Sequence, residues 1–286
     1  MKPLGLVDGR LVDLNENVIS MEDRGYQFGD GVYEVTRVYN GRCFQLRMHV
    51  DRLYRSLREL MIPAVYTYSE LAEFHELLIK ESGIKYGAIY LQITRGVAPR
   101  AHGFPENVVP KLTMSIRPTK VNTDNKENGI KVSLVPDERW LRCDIKSINL
   151  LGNILGKHRA QLAGSFEGIM VRDKYITEGT SSNFYVVKDD VVWTHPANNL
   201  ILRGVTRTLL IEKIFKDLGV TVIEKPFTPE FAKSADEAFI SGTNAEILPV
   251  VTIDGQPVRD GKVGKITRQV IEAYEALIDE ECGRKR

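Results

Sequence analysis

Segments of strand character alternate with segments of helical periodicity along most of this chain. Residues 32–39 are rich in β-branched and aromatic side chains, and the turn-forming pair Asn40-Gly41 follows them. In the next segment the apolar residues recur every three or four positions, as on one face of an amphipathic helix: Leu46, Val50, Leu53, Leu57 and Leu60. This alternation predicts an α/β fold with mixed sheets.

The same reasoning predicts further elements. Thr67 and Glu70 have the spacing of a capping box, so a helix is expected to begin there and to end near Gly83. Other helices are predicted near residues 147–163, 206–218 and 264–280. Strands are predicted at 4–7 and 11–12, as a hairpin, and at 88–94, 111–116, 130–135, 168–171, 183–187 and 191–194.

A polar segment divides the chain. Residues 118–128 are almost free of apolar side chains, a composition typical of a linker between domains. A length of 286 residues allows one large domain or two smaller ones. We therefore predict a small N-terminal α/β domain over 1–117, a linker over 118–128 and a larger C-terminal domain over 129–286.

The charge balance and the apolar runs exclude several classes of partner. Lys plus Arg number 39 and Asp plus Glu number 38, so no basic field exists that would hold nucleic acid. The apolar runs are far shorter than the roughly 18–20 residues of a membrane helix. The first residues contain no apolar stretch of the kind found in signal peptides. We expect no nucleic acid partner and no membrane partner.

Cysteine and histidine usage points to a cytoplasmic protein without a metal site. Cys43, Cys143 and Cys282 are widely spaced and form no disulfide framework or CxxC motif. The five histidines form no HxxxH or HExxH pair.

Lys146 is the first candidate for chemistry. It lies between a polar stretch that contains Arg139 and Arg142 and a segment of apolar residues at helical spacing. Neighbouring cations and burial lower the pKa of a lysine, as a Schiff-base lysine requires. The alternative interpretation is an ordinary surface lysine that precedes a helix.

A second candidate is the polar loop predicted at 177–183, in which Glu178 is the one acidic residue. Its hydroxyl groups are either bonded to their own backbone in a turn, or they support a carboxylate that meets a ring nitrogen. Two small-residue loops are phosphate-site candidates. The main-chain N–H groups of Val205 and Thr206 follow Gly204 at a predicted helix start. The other loop is 241–244, which contains Thr243. Together these features indicate a phosphate-bearing cofactor.

The loop 94–105 contains Arg100 and His102, two residues apart, and is rich in Gly and Pro. Such a pair is able to clamp a carboxylate through charge-assisted hydrogen bonds. The alternative is an exposed loop with incidental cations.

Together these segments resemble the fold-type IV pyridoxal-phosphate transaminases over nearly the whole chain. The motifs that carry the resemblance are EDRGYQFGDGVYE from Glu22, HVDRL from His49, the segment that ends in Lys146, TEG from Thr177, LRGVTR from Leu202 and SGTNAEI from Ser241. The Arg100-Ala-His102 motif resembles the carboxylate trap of the D-amino-acid transaminases. Branched-chain L-amino-acid transaminases and aminodeoxychorismate lyases, which generally lack it, remain as alternatives.

The resemblance implies that the cofactor is pyridoxal 5'-phosphate, bound between the two domains. Lys146 then carries it covalently and moves the substrate proton, Glu178 bonds the pyridine nitrogen, and Leu202 packs against the ring. The other implied cofactor residues are Arg52, Val205, Thr206 and Thr243 at the phosphate, Thr180, Ser181, Ser182 and Asn183 as supports, and Arg139 near the phenolic oxygen.

The resemblance further implies the substrates and the assembly. Tyr33, Arg100 and His102 would bind the α-carboxylate of the substrate. The Arg–His loop would come from the neighbouring subunit, which makes the active unit a homodimer with its site near the interface. The implied reaction transfers an amino group between D-alanine, or other D-amino acids, and 2-oxoglutarate, giving pyruvate and D-glutamate by a ping-pong mechanism.

Overall fold

A computed structural model describes residues 2–120 and 122–284, which divide into two compact units. The first unit contains residues 2–120, 145–149 and 278–284, and the second contains residues 122–144 and 150–277. The first unit therefore includes two short segments, 145–149 and 278–284, that lie apart from its N-terminal stretch in the sequence. The boundary at residue 120 falls inside the polar segment 118–128, where the structure has a short helix, Thr123–Asn128.

The first unit is built on an antiparallel sheet. Among its described residues the strands are β1 Leu4–Val7, β2 Arg10–Val12, β3 Gly31–Tyr39, β4 Arg42–Cys43, β5 Gly87–Thr94 and β6 Lys111–Pro118. They lie in the order β2-β1-β6-β5-β3-β4. The helices of this unit are α1 Arg24–Phe28, α2 Leu46–Glu59 and α3 Tyr68–Ser82. Leu53 and Leu57 of α2 and Leu71 and Leu78 of α3 are buried in its core.

Local signals in the sequence account for the bounds of α3. The hydroxyl of Thr67 accepts from the N–H of Glu70, and the carboxylate of Glu70 accepts from the N–H of Thr67, so the predicted capping box is confirmed. The helix ends at Gly83, whose φ of 66° lies in the left-handed region that favours glycine. Both ends of the helix therefore follow from short-range chemistry.

The second unit is built on a mixed sheet, which confirms the predicted α/β class. The strands in its described part are β7 Ile130–Pro136, β8 Glu167–Arg172, β9 Tyr175–Gly179, β10 Asn183–Lys188, β11 Val191–Thr194, β12 Val222–Glu224, β13 Glu237–Gly242, β14 Glu246–Ile253 and β15 Gln256–Pro257. They lie in the order β12-β11-β10-β13-β14-β7-β8-β9, with β15 paired to β14. The pairs β11–β12, β7–β14 and β7–β8 are parallel, and the other pairs are antiparallel.

The helical segments of the second unit begin with α4, Thr123–Asn128, and α5, Leu151–Leu162. The helix predicted near 206–218 is a continuous stretch of α6 Val205–Leu209, a π-helical turn Leu210–Ile214 and α7 Phe215–Asp217. α8, Pro229–Lys233, and α9, Lys265–Cys282, follow, and the residues of α9 from Ile278 onward belong to the first unit. In the described parts of the chain, no helix combines the length and the apolar character needed to span a bilayer.

Two predictions about local structure were wrong. The helix predicted near 147–163 begins only at Leu151, because residues 145–149 lie along the start of β3. There the N–H of Tyr33 donates to the carbonyl of Lys146 at 3.0 Å, and the N–H of Ile148 donates to the carbonyl of Gly31 at 3.0 Å. The polar loop predicted at 177–183 does not begin at residue 177, because residues 177–179 form the end of β9, which pairs with β8.

Candidate active site

Lys146 lies against an aromatic ring in the first unit. Its Nζ is 4.2 Å from the centroid of the Tyr33 ring, and its main-chain N–H donates to the hydroxyl of Ser56 at 3.2 Å. The side chain is half-buried, and no carboxylate among the described residues forms an ion pair with it. The Tyr33 ring therefore limits the positions open to Nζ.

The residue after Tyr33 anchors a buried ionic cluster. The Glu34 carboxylate accepts from Nε and Nη2 of Arg52 at 2.7 and 2.8 Å, and Nδ1 of His49 lies 2.8 Å from it. Burial alone would raise the pKa of Glu34, but the Arg52 guanidinium and His49 together outweigh burial and hold that pKa far below its usual range. Burial lowers the pKa of His49. The ionised carboxylate of Glu34 thus orients Arg52, which was predicted to bind phosphate.

Arg100 and His102 lie together on an exposed loop. The Arg100 guanidinium is 4.9 Å from the centroid of the Phe28 ring, and the His102 ring meets the same ring edge-on at 5.8 Å. Within the described part of the chain, neither residue contacts Tyr33. Tyr33 instead stacks on Tyr90 with a centroid distance of 5.7 Å. The structure therefore brings Arg100 and His102 together, and it brings Tyr33 to Lys146.

The long motif that begins at Glu22 holds this loop in place. Nη1 of Arg24 donates to the carbonyls of Ala101 at 2.6 Å and of Gly103 at 3.3 Å. Helix α1, which carries Arg24, packs so closely on β5 that a Cβ on Gly25 would lie 2.2 Å from Cγ2 of Thr94. Much of this motif thus serves to fix the position of the loop.

In the second unit, Glu178 is a buried carboxylate in β9, one residue before the strand ends. Oε1 accepts from Nη1 of Arg139 at 2.5 Å, and Oε2 accepts from Nδ2 of Asn183 at 2.9 Å. The N–H of Leu202 lies 3.0 and 3.1 Å from the two oxygens. Four of the predicted cofactor residues, Glu178, Arg139, Asn183 and Leu202, are therefore in one cluster.

The electrostatics of this cluster differ between its two acids. Burial raises the pKa of Glu178 to about 7, although Arg139 and the N–H of Leu202 oppose this effect. Burial would also raise the pKa of Asp137, but hydrogen bonds from Arg139, Arg172 and Thr177 hold it far below its usual range. Asp137 is thus a fixed anion that orients Arg139. Glu178 has a pKa near neutrality, and a further cationic partner would favour its ionised form.

The hydroxyl groups after Glu178 share one acceptor that sequence reasoning missed. Thr180, Ser181 and Ser182 all donate to the Glu167 carboxylate, from Ser181 at 2.8 Å and from Ser182 at 3.3 Å. Glu167 is 1% exposed. The turn that connects Glu178 to Asn183 is therefore fixed by a second buried anion. No local signal marks Glu167, because its hydroxyl partners lie 13, 14 and 15 residues further along the chain. Glu34 and His49, by contrast, lie within the motifs EDRGYQFGDGVYE and HVDRL.

The predicted phosphate residues lie at two turns of the second unit. Gly204 precedes α6, and a Cβ there would lie 2.3 Å from Oδ1 of Asn183, so this helix start packs directly on the Glu178 cluster. The first main-chain bond within this helix is from Thr208 to Gly204, which leaves the N–H groups of Val205 and Thr206 at its open end. Thr243 is half-buried in the loop between β13 and β14. These donors are of the type that binds phosphate.

Comparison with known proteins identifies the family. The sequence pattern of the amino-transferase class IV family matches residues 31–253, most of the chain. The chain therefore belongs to the class IV aminotransferases, and the family resemblance inferred from its motifs is confirmed.

Individual relatives agree with this membership. The D-alanine aminotransferase of Staphylococcus aureus strain COL is 46% identical over 274 residues, which span 96% of this chain and 97% of the relative. The D-alanine aminotransferase of Bacillus licheniformis is 43% identical over 279 residues, 98% of each chain. The branched-chain amino acid aminotransferase of Escherichia coli has the same fold, with a TM-score of 0.91 at 27% identity over 96% of this chain and 94% of that chain. The predicted fold-type IV class is thus confirmed.

The Glu34 cluster generates a prediction about acid stability. The pKa of Glu34 is lower in the folded protein than its ordinary value of 4.5, so the unfolded chain binds more protons as the pH falls. The stabilisation by this group is complete well above pH 4.5 and is lost below it. Glu34→Gln should lower stability at neutral pH and should remove a slope of up to about 1.4 kcal/mol per pH unit below about pH 4.5.

Urea unfolding of the apoprotein between pH 3.5 and 7 measures this slope. Glu73→Gln, at an exposed site on α3, is the matched control and should keep the wild-type profile. A Glu34→Gln variant whose stability falls with acid as steeply as that of the wild type would contradict the assignment.

Proposed function

We propose that this chain is a D-alanine aminotransferase that uses pyridoxal 5'-phosphate. It would transfer an amino group between D-alanine, or other D-amino acids, and 2-oxoglutarate, giving pyruvate and D-glutamate. The observation that carries the D-specific part is the Arg100–His102 pair, held on Phe28 at the surface with both side chains exposed. A carboxylate is the ligand that such a pair recognises best.

Each unit, taken by itself, holds donor and acceptor groups of the types that suit the proposed cofactor. The Glu178 carboxylate suits the protonated pyridine nitrogen, because a cationic partner favours its ionised form. The hydroxyls of Thr206 and Thr243, the N–H groups at the start of α6 and the guanidinium of Arg52 suit the phosphate. When bound, the cofactor supplies an electron sink for the carbanion that forms at the substrate Cα.

The remaining roles belong to side chains of this chain. Lys146 would bind the cofactor covalently and then, through Nζ, remove and return the proton of the substrate Cα. Its position on the ring of Tyr33 restricts the amine to one side of that ring. Asp137 would keep Arg139 oriented, and Arg139 in turn would favour the ionised form of Glu178.

We also propose that a second copy of the chain supplies the Arg100–His102 loop. The loop is exposed. Arg24 and Arg95 connect it to neighbouring segments through hydrogen bonds and a ring contact. The loop and these segments carry exposed apolar side chains: Met21, Tyr26, Met61, Val97 and Phe104. In the second unit, α5 also exposes apolar residues, with Leu151 at 70%. Exposed apolar patches mark contact surfaces, which supports a homodimer. The free thiols of Cys43, Cys143 and Cys282 support the proposed cytoplasmic location.

Half-reactions distinguish this proposal from its two rivals on the same fold. Purified protein loaded with pyridoxal 5'-phosphate is mixed with D-alanine, L-leucine or aminodeoxychorismate, and the visible absorbance of the cofactor is followed. We expect rapid bleaching by D-alanine, with pyruvate released, and little change with L-leucine. Reduction with borohydride before digestion should leave the cofactor on Lys146. Preferential bleaching by L-leucine would favour a branched-chain transaminase, and pyruvate from aminodeoxychorismate would favour the lyase.

The proposed carboxylate trap gives a second prediction. Arg100→Ala combined with His102→Ala should raise KM for D-alanine and 2-oxoglutarate by roughly ten- to a hundredfold, because a charge-assisted carboxylate contact contributes about 1.5–3 kcal/mol. Cofactor affinity and turnover of amines without a carboxylate should change little. Unchanged D-alanine kinetics would remove the D-specific assignment.

Mixed dimers of that double variant with a Lys146→Ala chain test the origin of the loop. If the loop acts across the interface, one of the two sites in each mixed dimer regains an intact lysine and an intact loop. Activity should then return on mixing. Mixed dimers that stay inactive would place the loop at the site of its own subunit.

A further inference from the structure

A lysine in the segment expected to be a linker is buried in the second unit. Lys126, in α4, is 8% exposed. Its Nζ donates to Oε2 of Glu246 at 2.5 Å and to Oε1 of Glu275 at 2.7 Å. Burial of a lysine is costly unless carboxylates pair with it. The sequence thus retains a buried ion pair in a segment where a solvated linker would need none.

One partner of this lysine has an unusual backbone conformation. Glu246 is the first residue of β14 and pairs with Gly242 across a three-residue loop, 243–245. Its φ is 56°, in the left-handed region. Three-residue hairpin loops often end in a residue of this conformation, and glycine is preferred there because it has no Cβ. A glutamate at this position therefore calls for a reason that lies in its side chain.

The ion pair with Lys126 provides that reason. The carboxylate of Glu246 is buried, with the residue 3% exposed, and the lysine holds it from α4. The side chain therefore fixes the end of the hairpin loop from outside the hairpin. Glycine would permit the same backbone but would leave the loop free to move.

The loop fixed in this way carries Thr243. Gly242, the residue before this loop, lies next to the turn that follows Glu178. A Cβ on Gly242 would lie 3.4 Å from the carbonyl oxygen of Ser181, in ordinary contact. Ser181 belongs to the turn held by Glu167. The position of Thr243 relative to the Glu178 cluster thus depends on both ends of its loop.

We propose that the Lys126–Glu246 pair is a positioning device for the phosphate-binding loop, and that α4 thereby controls cofactor affinity. This inference rests on the proposed function, in which Thr243 binds the cofactor phosphate. Neither Lys126 nor Glu246 touches the cofactor in this account. Their effect is to hold the Thr243 hydroxyl and the neighbouring main chain in the conformation that binds phosphate.

The dissociation constant of pyridoxal 5'-phosphate from the apoprotein tests the proposal. We expect Glu246→Gln and Lys126→Met to weaken binding about tenfold, as expected when one hydrogen bond to a charged group is lost. Glu275→Gln is the matched control, because it removes a carboxylate from the same lysine without altering the hairpin. It should bind the cofactor within about twofold of the wild type. Phosphorus NMR of the bound cofactor should show a shifted phosphate resonance for Glu246→Gln alone among the two glutamate variants.

A second variant separates positioning from general stability. Glu246→Gly gives the backbone its preferred residue, so the thermal midpoint of the apoprotein should be retained while cofactor binding still weakens about tenfold. Wild-type affinity in Glu246→Gly, or equal weakening in Glu275→Gln, would overturn the proposal while leaving the proposed function intact. A wild-type protein that binds no pyridoxal 5'-phosphate would overturn both.

Discussion

The buried carboxylate of Glu178 is the interaction on which the candidate site residues of the second unit depend. Its oxygens accept from Arg139, Asn183 and the N–H of Leu202, and these three partners come from three different segments of the chain. Removal of the carboxylate would take one buried acceptor away from the guanidinium and one from the amide, which is costly in a low-dielectric interior. The strand end, the turn after it and the Leu202 segment are therefore positioned together. Two further buried carboxylates support this arrangement: Asp137 orients Arg139, and Glu167 fixes the turn that connects Glu178 to Asn183.

In the first unit, the buried carboxylate of Glu34 has a corresponding role. That carboxylate orients Arg52. Lys146 lies in the segment 145–149, which belongs to the first unit although the residues on either side of it belong to the second, and this segment places Lys146 against Tyr33. A reactive lysine also needs a fixed position. Main-chain hydrogen bonds to β3 and to the Ser56 hydroxyl restrict the backbone of Lys146, and its Nζ lies 4.2 Å from the centroid of the Tyr33 ring.

Much of this arrangement was predictable where the deciding interactions are local. The capping box at Thr67, the turn at Asn40 and the apolar face of α2 depend on residues within one or two turns of the chain. The motifs also indicated Lys146, Glu178, Asn183 and Thr206 as candidates. The path of residues 145–149 was not predictable, because Ile148 continues the apolar spacing of α5 while its N–H pairs with Gly31. Glu167 and the Lys126–Glu246 pair likewise join residues that are distant in sequence, so no local pattern reveals them.

The central claim is that Glu178 serves the ring nitrogen of a pyridoxal cofactor. Glu178→Gln tests it most directly, through the rate of amino transfer from D-alanine together with the amount of bound cofactor. The amide keeps the size of the side chain but cannot stabilise a protonated nitrogen by charge. We expect full cofactor occupancy and a kcat lower by about 100-fold or more, comparable to the loss of one preorganised electrostatic group in other enzymes. A variant with wild-type kcat would contradict the account, because the ring nitrogen would then depend on some other group.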